Sequence, residues 1–358
     1  MLRIGKTITP LLIFVGQMFA QRGHEFRIDP QAQVMLDKLS EAGIVSSIVS
    51  PKDVMQARAA YSALLAFEGP AEAVWRVEDR QIPGPGGELP IRIYRPNEGP
   101  ALPMLVYFHG GIFTTGSLET HDIPLRALAN ASGCMIVSVG YRLAPESQFP
   151  AAPEDAYAAT KWVSEHATEI GGDAKRVAVG GDGAGGNLAA VGALMATDRK
   201  GPPLRYQVLI YPITSAAMQT VSWWDFANGP VLNREGMLFH LGRYMSVTTE
   251  IRNPYLSPLA ATNLERLPPA LVITAEYDPL RDDGENYAHE LKDSGVPITV
   301  SQYKGMVHGF FQMAGTLDAG RKCLLEIADS LKKALAVEID GVPGGSRWIL
   351  GAQSEVKE

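Results

Sequence analysis

The glycine-rich segment at residues 180–186 constrains the fold of this chain more than any other feature. It reads Gly-Gly-Asp-Gly-Ala-Gly-Gly, follows an apolar run that ends at Val179 and opens a helix-like stretch at residues 187–195. A strand that passes directly into a helix through so tight a turn exposes the central residue of the turn at the edge of the sheet. We therefore predict that Gly183 lies at the carboxyl edge of a parallel sheet.

The rest of the chain repeats this alternation of strands and helices. The predicted strands are residues 74–81, 89–94, 104–108, 134–139, 176–179, 206–211, 270–275 and 298–303. The predicted helices are residues 30–42, from about 50 to 67, 153–169, 187–197, from 233, 282–294 and 317–337. Alternation of this kind indicates an α/β fold with a mostly parallel sheet and helices on both faces.

Helix signals outside the alternating region indicate a cap. Asp29-Pro30 and Ser50-Pro51 each supply an N-cap and a first-turn proline, and Gly43 ends the first helix. After the sixth strand, Asn233 caps a helix with one apolar face. That face comprises Met237, Leu238, Leu241, Tyr244 and Met245. We predict a first cap segment at residues 1–70, a catalytic domain at 71–341 with a second cap segment at about 214–261, and a loosely attached tail at 342–358.

Composition excludes several classes of protein. The 358 residues are 46% hydrophobic and 20% charged, which supports a large core and argues against disorder. The net charge is −7 and no basic stripe is present, so nucleic acid is excluded as a partner. Cys134 and Cys323 lie far apart without a second cysteine nearby, which indicates neither a metal site nor a disulfide framework.

The N-terminal residues leave two alternatives open. Arg3 and Lys6 precede an apolar stretch at residues 8–20 that resembles the core of a signal peptide, which would imply secretion. The stretch is too short for stable membrane insertion. We favour an amphipathic helix that packs over the active site, and hence a cytoplasmic protein.

The turn at residues 180–186 matches the nucleophile elbow Gly-x-Ser-x-Gly of an α/β-hydrolase, except that Gly183 occupies the position of the serine. The central residue of such an elbow has a positive φ, which costs a non-glycine residue about 1 to 3 kcal/mol. Glycine removes this cost and also the hydroxyl, so no acyl-enzyme can form. The sequence therefore predicts an intact fold without a nucleophile.

A second glycine-containing loop, residues 109–113, follows the strand that ends at Phe108. Backbone amides in this position can stabilise the negative charge that develops on an ester carbonyl oxygen. The predicted oxyanion-hole donors are the amides of Gly110, Gly111, Ile112 and Ala184.

The acid and the base follow two later strands. Asp278 lies just after the strand ending at residue 275, and His308 lies after the strand ending at residue 303. Nucleophile, acid and histidine in this order along the chain are typical of α/β-hydrolases. We expect His308 to act as the general base and Asp278 to orient its imidazole. Asp182 is expected to be a structural carboxylate that binds nearby backbone. The other histidines are expected at the surface or in the cap: His24, His121, His166, His240 and His289.

Taken together, these motifs resemble the hormone-sensitive lipase family of bacterial esterases, called family IV. The resemblance rests on His-Gly-Gly at 109–111, Tyr-Arg-Leu-Ala-Pro-Glu at 141–146, Phe-Pro-Ala-Ala at 149–152, Gly-Asp-Gly-Ala-Gly-Gly at 181–186, Asp-Pro-Leu-Arg-Asp at 278–282 and Val-His-Gly-Phe at 307–310. It covers about residues 74–337. It implies a carboxylesterase with a helical cap that acts on small esters of short to medium acyl chain without cofactor or metal, and it is compatible with a homodimer.

Two residues depart from the family pattern. Gly183 replaces the serine, and Ile112 replaces a third glycine after the histidine. The amide of Ile112 can serve as a donor provided that its φ stays negative. Two hypotheses explain Gly183: an engineered knock-out of an esterase, which we favour, or a natural pseudo-hydrolase that binds a small apolar ligand. Low residual activity through water activated by His308 is compatible with the first.

Overall fold

The computed structural model describes residues 27–336, which include one eight-stranded sheet. The strands are β1 Arg76–Gly84, β2 Gly87–Arg95, β3 Leu102–Phe108, β4 Met135–Val139, β5 Gly172–Asp182, β6 Tyr206–Ile210, β7 Ala270–Tyr277 and β8 Ile298–Val307. Their order across the sheet is β1-β2-β4-β3-β5-β6-β7-β8. The first two pairs, β1 with β2 and β2 with β4, are antiparallel, and all later pairs in this order are parallel. The predicted α/β-hydrolase fold with a mostly parallel sheet is confirmed.

Helices cover both faces of the sheet. They are α1 Pro30–Glu41, α2 Ile44–Val49, α3 Val54–Ala63, α4 Asp122–Ser132, α5 Ala151–Glu165, α6 Ala167–Ile170, α7 Ala184–Asp198, α8 Ser222–Asp225, α9 Arg234–Tyr244, α10 Arg281–Asp293 and α11 Asp318–Ala334. Helices α5, α7 and α10 pack with one face of the sheet, and α1, α4 and α11 pack with the other. Because the central strands β3, β4 and β6 are buried on both faces, most of their residues are apolar and the pattern does not alternate.

The predicted helices differ from the structure in their bounds and number. The second helix begins at Val54, not after Ser50-Pro51, because the side chain of Asp53 accepts a hydrogen bond from the Gln56 amide at 2.8 Å and caps α3. The preceding residues form the unpredicted α2. The helix predicted at 153–169 divides into α5 and α6. Helix α4 was missed altogether, although Pro124 fits its first turn.

The predicted N-caps Asp29 and Asn233 are confirmed, since both side chains accept hydrogen bonds from first-turn amides. One member of the predicted apolar face of α9 is misplaced: Leu238 is 52% exposed, whereas Met237, Leu241 and Tyr244 are buried.

The N-terminal helices and α9 contact each other. A Cβ built on Gly236 in α9 would lie 2.8 Å from the carbonyl oxygen of Val49, at the end of α2. His240 of α9 hydrogen-bonds through Nδ1 to Thr114 Oγ1 at 2.5 Å, beside the loop at residues 109–113. These contacts bring α9 against the end of α2 and beside the loop at residues 109–113.

The two cysteines are free and buried, as expected for small core residues. Among residues 27–336, no helix combines the length and the apolar character needed to cross a membrane. The apolar stretch at 8–20, His24 and the tail at 342–358 lie outside the described residues.

Candidate active site

The turn between β5 and α7 has the strained geometry predicted for an elbow. Gly183 has φ +55° and ψ −113°, and its amide donates to the carbonyl oxygen of Ile210 at 2.9 Å. The flanking glycines allow α7 to approach the sheet. A Cβ on Gly185 would lie 1.8 Å from the carbonyl oxygen of Phe108, and a Cβ on Gly181 would lie 2.4 Å from that same oxygen. Backbone atoms therefore exclude side chains at Gly181 and Gly185. Of these three glycines, only Gly183 lies where a side chain could take part in a reaction.

A side chain at residue 183 would lie beside His308. A Cβ built on Gly183 would lie 3.3 Å from His308 Nε2 and 3.5 Å from Cε1. A hydroxyl one bond further out is then within hydrogen-bonding reach of Nε2.

His308 is held by a buried carboxylate. Its Nδ1 lies 2.8 Å from Asp278 Oδ2, and Asp278 is fully buried. The other oxygen of Asp278 accepts the Leu280 amide at 2.9 Å. The ring of Tyr211 packs on the imidazole with a centroid distance of 4.5 Å. The carboxylate therefore fixes the tautomer with the proton on Nδ1 and leaves the lone pair of Nε2 directed at residue 183.

The loop at residues 109–113 corrects one predicted donor. The Gly110 amide donates inward to Asp182 Oδ1 at 3.0 Å, so it is not available to an oxyanion. Within residues 27–336, the structure gives the amides of Gly111, Ile112 and Ala184 no hydrogen-bond partner. These three remain the candidate donors.

Ile112 does not have the negative φ that was set as the condition for its amide to serve as a donor. Its φ is +50°, and Gly111 before it has φ +114°. A β-branched residue in the left-handed region is a genuine outlier, which explains why glycine suits this position. The amides of Thr114 and Thr115 both donate to the Gly111 carbonyl, which closes the loop tightly and imposes this conformation. Ile112 therefore keeps its amide in the loop at the cost of backbone strain.

Beneath the loop lies a polar cluster that sequence reasoning only partly anticipated. Asp182 accepts hydrogen bonds from the Tyr107 hydroxyl at 2.8 Å and from the Gly110 amide, and it lies 3.0 Å from His121 Nε2. Burial alone would raise the pKa of Asp182, but the neighbouring His121 and the hydrogen bonds from His121 and Tyr107 hold it below its ordinary value. The structural role expected of Asp182 is confirmed. The placement of His121 at the surface or in the cap was wrong, since its side chain is fully buried.

A second set of contacts supports the same loop from the other side. The Tyr141 hydroxyl donates to the His109 carbonyl at 2.8 Å, and the two rings stack with centroids 4.3 Å apart. Burial and the nearby His121 lower the pKa of His109 to about 3, so its ring is neutral. Arg142 binds Asp155 through paired hydrogen bonds and fixes the segment that carries Tyr141.

An apolar cleft opens beside His308. Its empty volume is about 890 Å³, including the open mouth, and helices α1 to α3 and α9 contribute to its walls. The lining includes Met35, Leu36, Leu39, Ile44, Ile48, Leu64, Gly111, Ile112, Leu232, His240, His308, Phe310 and Met313. An apolar cleft with a few convergent polar groups is typical of a small-molecule site.

Comparison with known proteins identifies the family of this chain. A family model described as the α/β hydrolase fold matches residues 105–312. The carboxylic ester hydrolase LipN of Mycobacterium tuberculosis is 42% identical over 308 residues, which covers 83% of this chain and 81% of LipN. An arylesterase of Saccharolobus solfataricus is 37% identical over 284 residues, covering 79% and 92%.

Solved structures give the same result. A hyperthermophilic esterase from the archaeon Pyrobaculum calidifontis superimposes with a TM-score of 0.80 at 44% identity, covering 86% of this chain and 98% of that one. A serine-to-alanine mutant of an α/β hydrolase from the metagenome of Lake Arreo, Spain, superimposes with a TM-score of 0.81 at 36% identity, covering 86% and 98%. The fold agrees with these relatives, and the chain belongs to the α/β-hydrolase family, among its carboxylic ester hydrolases.

Proposed function

We propose that this chain retains the ester-hydrolysing machinery of its family except for the nucleophile, which Gly183 replaces. The observation that carries the proposal is the alignment of three groups. A Cβ at residue 183 would lie 3.3 Å from His308 Nε2, and His308 Nδ1 lies 2.8 Å from Asp278 Oδ2. This is the geometry of a nucleophile, a base and an orienting acid.

With a serine at residue 183, the mechanism follows from these distances. His308 Nε2 takes the hydroxyl proton as the oxygen attacks the ester carbonyl, and Asp278 stabilises the imidazolium. The amides of Gly111, Ile112 and Ala184 donate to the oxyanion. His308 returns the proton to the leaving alkoxide, and a water activated by the same nitrogen then hydrolyses the acyl-enzyme.

With Gly183 this covalent route is closed. In a well-studied serine protease, loss of the nucleophile alone costs about 10⁶ in kcat, and the residual rate comes from the oxyanion hole and binding. We therefore expect the chain as given to be inactive or nearly so. The favoured origin of Gly183 is an engineered knock-out.

The substrates we propose are esters with short to medium acyl chains. The cleft beside His308 offers an apolar surface to such chains, and Ile112 narrows it next to the reacting carbonyl.

The test is hydrolysis of a series of p-nitrophenyl acyl esters by the chain as given, by Gly183→Ser and by Gly183→Ser with His308→Ala. We expect a gain of several orders of magnitude in Gly183→Ser, greatest for short to medium chains, and its loss in the double variant. Absence of activity in Gly183→Ser with an intact fold would overturn the proposal.

A second candidate is a non-catalytic protein that binds a small apolar ligand. The presence of Gly183 beside an intact apolar cleft favours it. Calorimetric titration with a non-hydrolysable ester analogue separates the two. A binding protein retains the ligand and gains no activity when the serine is restored.

The cap, the oligomeric state and the location are also proposals. We propose that the segments predicted at residues 1–70 and about 214–261 act as one cap, that the chain forms a homodimer, and that it is cytoplasmic. Limited proteolysis with and without ligand, light scattering and cell fractionation test these three statements in turn.

A further inference from the structure

We propose that helices α3 and α9 hold the loop at residues 109–113 in its strained conformation and thereby position its oxyanion donors. Arg58 of α3 and His240 of α9 do so through contacts with Thr114, the residue after the loop. Both are positioning residues, because they act on the backbone donors through Thr114. The inference deepens the proposed function and rests on it, since the donors are those of the same reaction.

The loop requires support because three consecutive residues in it have a positive φ. The values are +114° at Gly111, +50° at Ile112 and +62° at Phe113. Glycine adopts this region freely, but isoleucine and phenylalanine do so only where the surrounding structure imposes it. Without that support we expect these two residues to return to negative φ, which changes the directions of the neighbouring amides.

The direction of the Ile112 amide is set by the carbonyl of Gly111. In a trans peptide these two groups share one plane and point in opposite directions. The Gly111 carbonyl accepts the Thr114 amide at 3.1 Å, the Thr115 amide at 2.9 Å and the Thr115 hydroxyl at 2.8 Å. Contacts that fix Thr114 therefore also fix the donor amide of Ile112.

Helix α9 contacts the two residues that follow Ile112. His240 Nδ1 lies 2.5 Å from Thr114 Oγ1, and both side chains are buried. Tyr244 stacks on Phe113 with the ring centroids 4.0 Å apart and the planes at 6°. His240 and Tyr244 are four positions apart, so they lie on one face of the helix. Burial lowers the pKa of His240 to about 4, so its ring is neutral and Nδ1 can accept the threonine proton.

Helix α3 contacts Thr114 on its backbone. Arg58 Nε donates to the Thr114 carbonyl at 2.9 Å, and Arg58 Nη2 donates to the Ala144 carbonyl at 3.1 Å. The Ala144 amide in turn donates to the Phe113 carbonyl at 2.9 Å. Paired hydrogen bonds from Arg58 to Glu146 keep the guanidinium in place. Thr114 is therefore held by its side chain from α9 and by its backbone from α3.

The position of these groups relative to the apolar cleft separates their effect on rate from their effect on binding. His240 lines the cleft, whereas neither Thr114 nor Arg58 is among the described residues that line it. Changes at Thr114 or Arg58 thus alter the donors and leave the surface for the acyl chain in place. Because the oxyanion forms only in the transition state, we expect such changes to lower kcat and to leave KM nearly unchanged.

The first measurement is hydrogen–deuterium exchange of the chain as given, resolved to the Thr115 amide. Thr114→Val removes the hydroxyl and keeps the shape of the side chain, whereas Thr114→Ser keeps a hydroxyl. We expect exchange about ten-fold faster in Thr114→Val, the factor that corresponds to leaving a buried polar group without its partner. Thr114→Ser should stay close to the original rate, and Arg58→Met should behave like Thr114→Val.

The matched control is Thr160→Val in α5. It also removes a fully buried hydroxyl, which donates to the Ala156 carbonyl at 2.8 Å. The general loss of stability is therefore similar, and exchange at Thr115 should not change.

The second measurement is hydrolysis of p-nitrophenyl butyrate in the Gly183→Ser background. Thr114→Val and Arg58→Met should each lower kcat by about 10- to 100-fold, since loss of one whole oxyanion donor costs about 10² to 10³. KM should stay nearly unchanged, and Thr114→Ser should recover most of kcat. Thr160→Val should leave both constants unchanged, because a loss of stability alone does not move the donors.

Failure of this inference is distinguishable from failure of the proposed function. Original exchange rates at Thr115 in folded Thr114→Val and Arg58→Met would overturn the inference. An active Gly183→Ser whose kcat neither variant lowers would also overturn it, and the proposed function would stand. Inactivity of Gly183→Ser with an intact fold overturns the proposed function, and the exchange rates still decide the inference. If Thr114→Val does not fold, Arg58→Met decides in both measurements.

Discussion

Replacement of Glu68 by glutamine is expected to flatten the dependence of stability on pH. Glu68 follows the short 3₁₀ helix Leu64–Phe67 and is fully buried, and within residues 27–336 neither of its carboxylate oxygens has a hydrogen-bond partner. Burial, reinforced by the nearby Asp182 and Asp122, raises the pKa of Glu68 from 4.5 to about 8. The folded protein therefore keeps this side chain protonated at pH values where the unfolded chain ionises it.

The sign and size of the effect follow from proton linkage. Between the two pKa values the folded state holds one more proton than the unfolded state, so the free energy of unfolding falls as pH rises. The loss is about 1.4 kcal/mol for each pH unit. The stability that protonated Glu68 allows is fully present below pH 4.5 and is lost as pH approaches about 8. Across pH 5 to 8 the loss amounts to about 4 kcal/mol.

Urea denaturation of the chain as given and of Glu68→Gln at several pH values between 5 and 8 measures this term. The variant is expected to gain about 4 kcal/mol relative to the chain as given over that range. Asp283, whose pKa burial raises to about 7, affects both proteins and cancels in the difference. Glu41→Gln, at an exposed glutamate, is the control. Its difference in free energy of unfolding from the unsubstituted chain should not change with pH. A difference for Glu68→Gln that does not change with pH would refute the reasoning.

Three further predictions concern the elbow and its supporting loop. Gly185→Ala should lower the free energy of unfolding by several kcal/mol or prevent folding, since its Cβ would lie 1.8 Å from the backbone of β3. The control is Gly192→Ala in the same helix, whose Cβ meets no atom closer than 4.0 Å. It should raise the free energy of unfolding, measured in urea, by about 0.5 to 1 kcal/mol. Asp182→Asn should cost about 1.5 to 3 kcal/mol, because it replaces the buried carboxylate that accepts hydrogen bonds from Tyr107 and Gly110 by a neutral amide; an equal free energy of unfolding would contradict this. In the Gly183→Ser background, Ile112→Gly should raise kcat/KM for branched acyl esters relative to unbranched ones, and an unchanged ratio would contradict the narrowing role of Ile112.

Local signals in the sequence were sufficient for the sheet and for the loops at its carboxyl edge. The strands are apolar runs bounded by glycine and proline, and the caps Asp29 and Asn233 act through contacts within one helical turn. The order of the elbow, Asp278 and His308 along the chain places them at one edge because parallel strands end together. Distances between these groups follow from the fold and not from the local pattern.

Two features that sequence reasoning missed, the burial of His121 and the inward direction of the Gly110 amide, depend on residues far apart in the chain. The burial of His121 follows from its contact with Asp182, 61 positions later in the chain. Gln312 also contacts His121, with 3.2 Å between the Nε2 atoms of the two side chains. The Gly110 amide has an ordinary sequence context, and only the position of Asp182 shows that it donates inward. The positive φ of Ile112 was missed because the turn that imposes it is closed by the two following threonine amides.

Covalent labelling tests the central claim most directly, namely that residue 183 occupies the nucleophile position facing His308. A fluorophosphonate reacts with an activated serine hydroxyl, and intact-mass spectrometry with peptide mapping locates the adduct. We predict one adduct per chain at residue 183 in Gly183→Ser, and none in the chain as given or in Gly183→Ser with His308→Ala. A folded Gly183→Ser that stays unlabelled, or an adduct at another serine in the chain as given, would contradict the account.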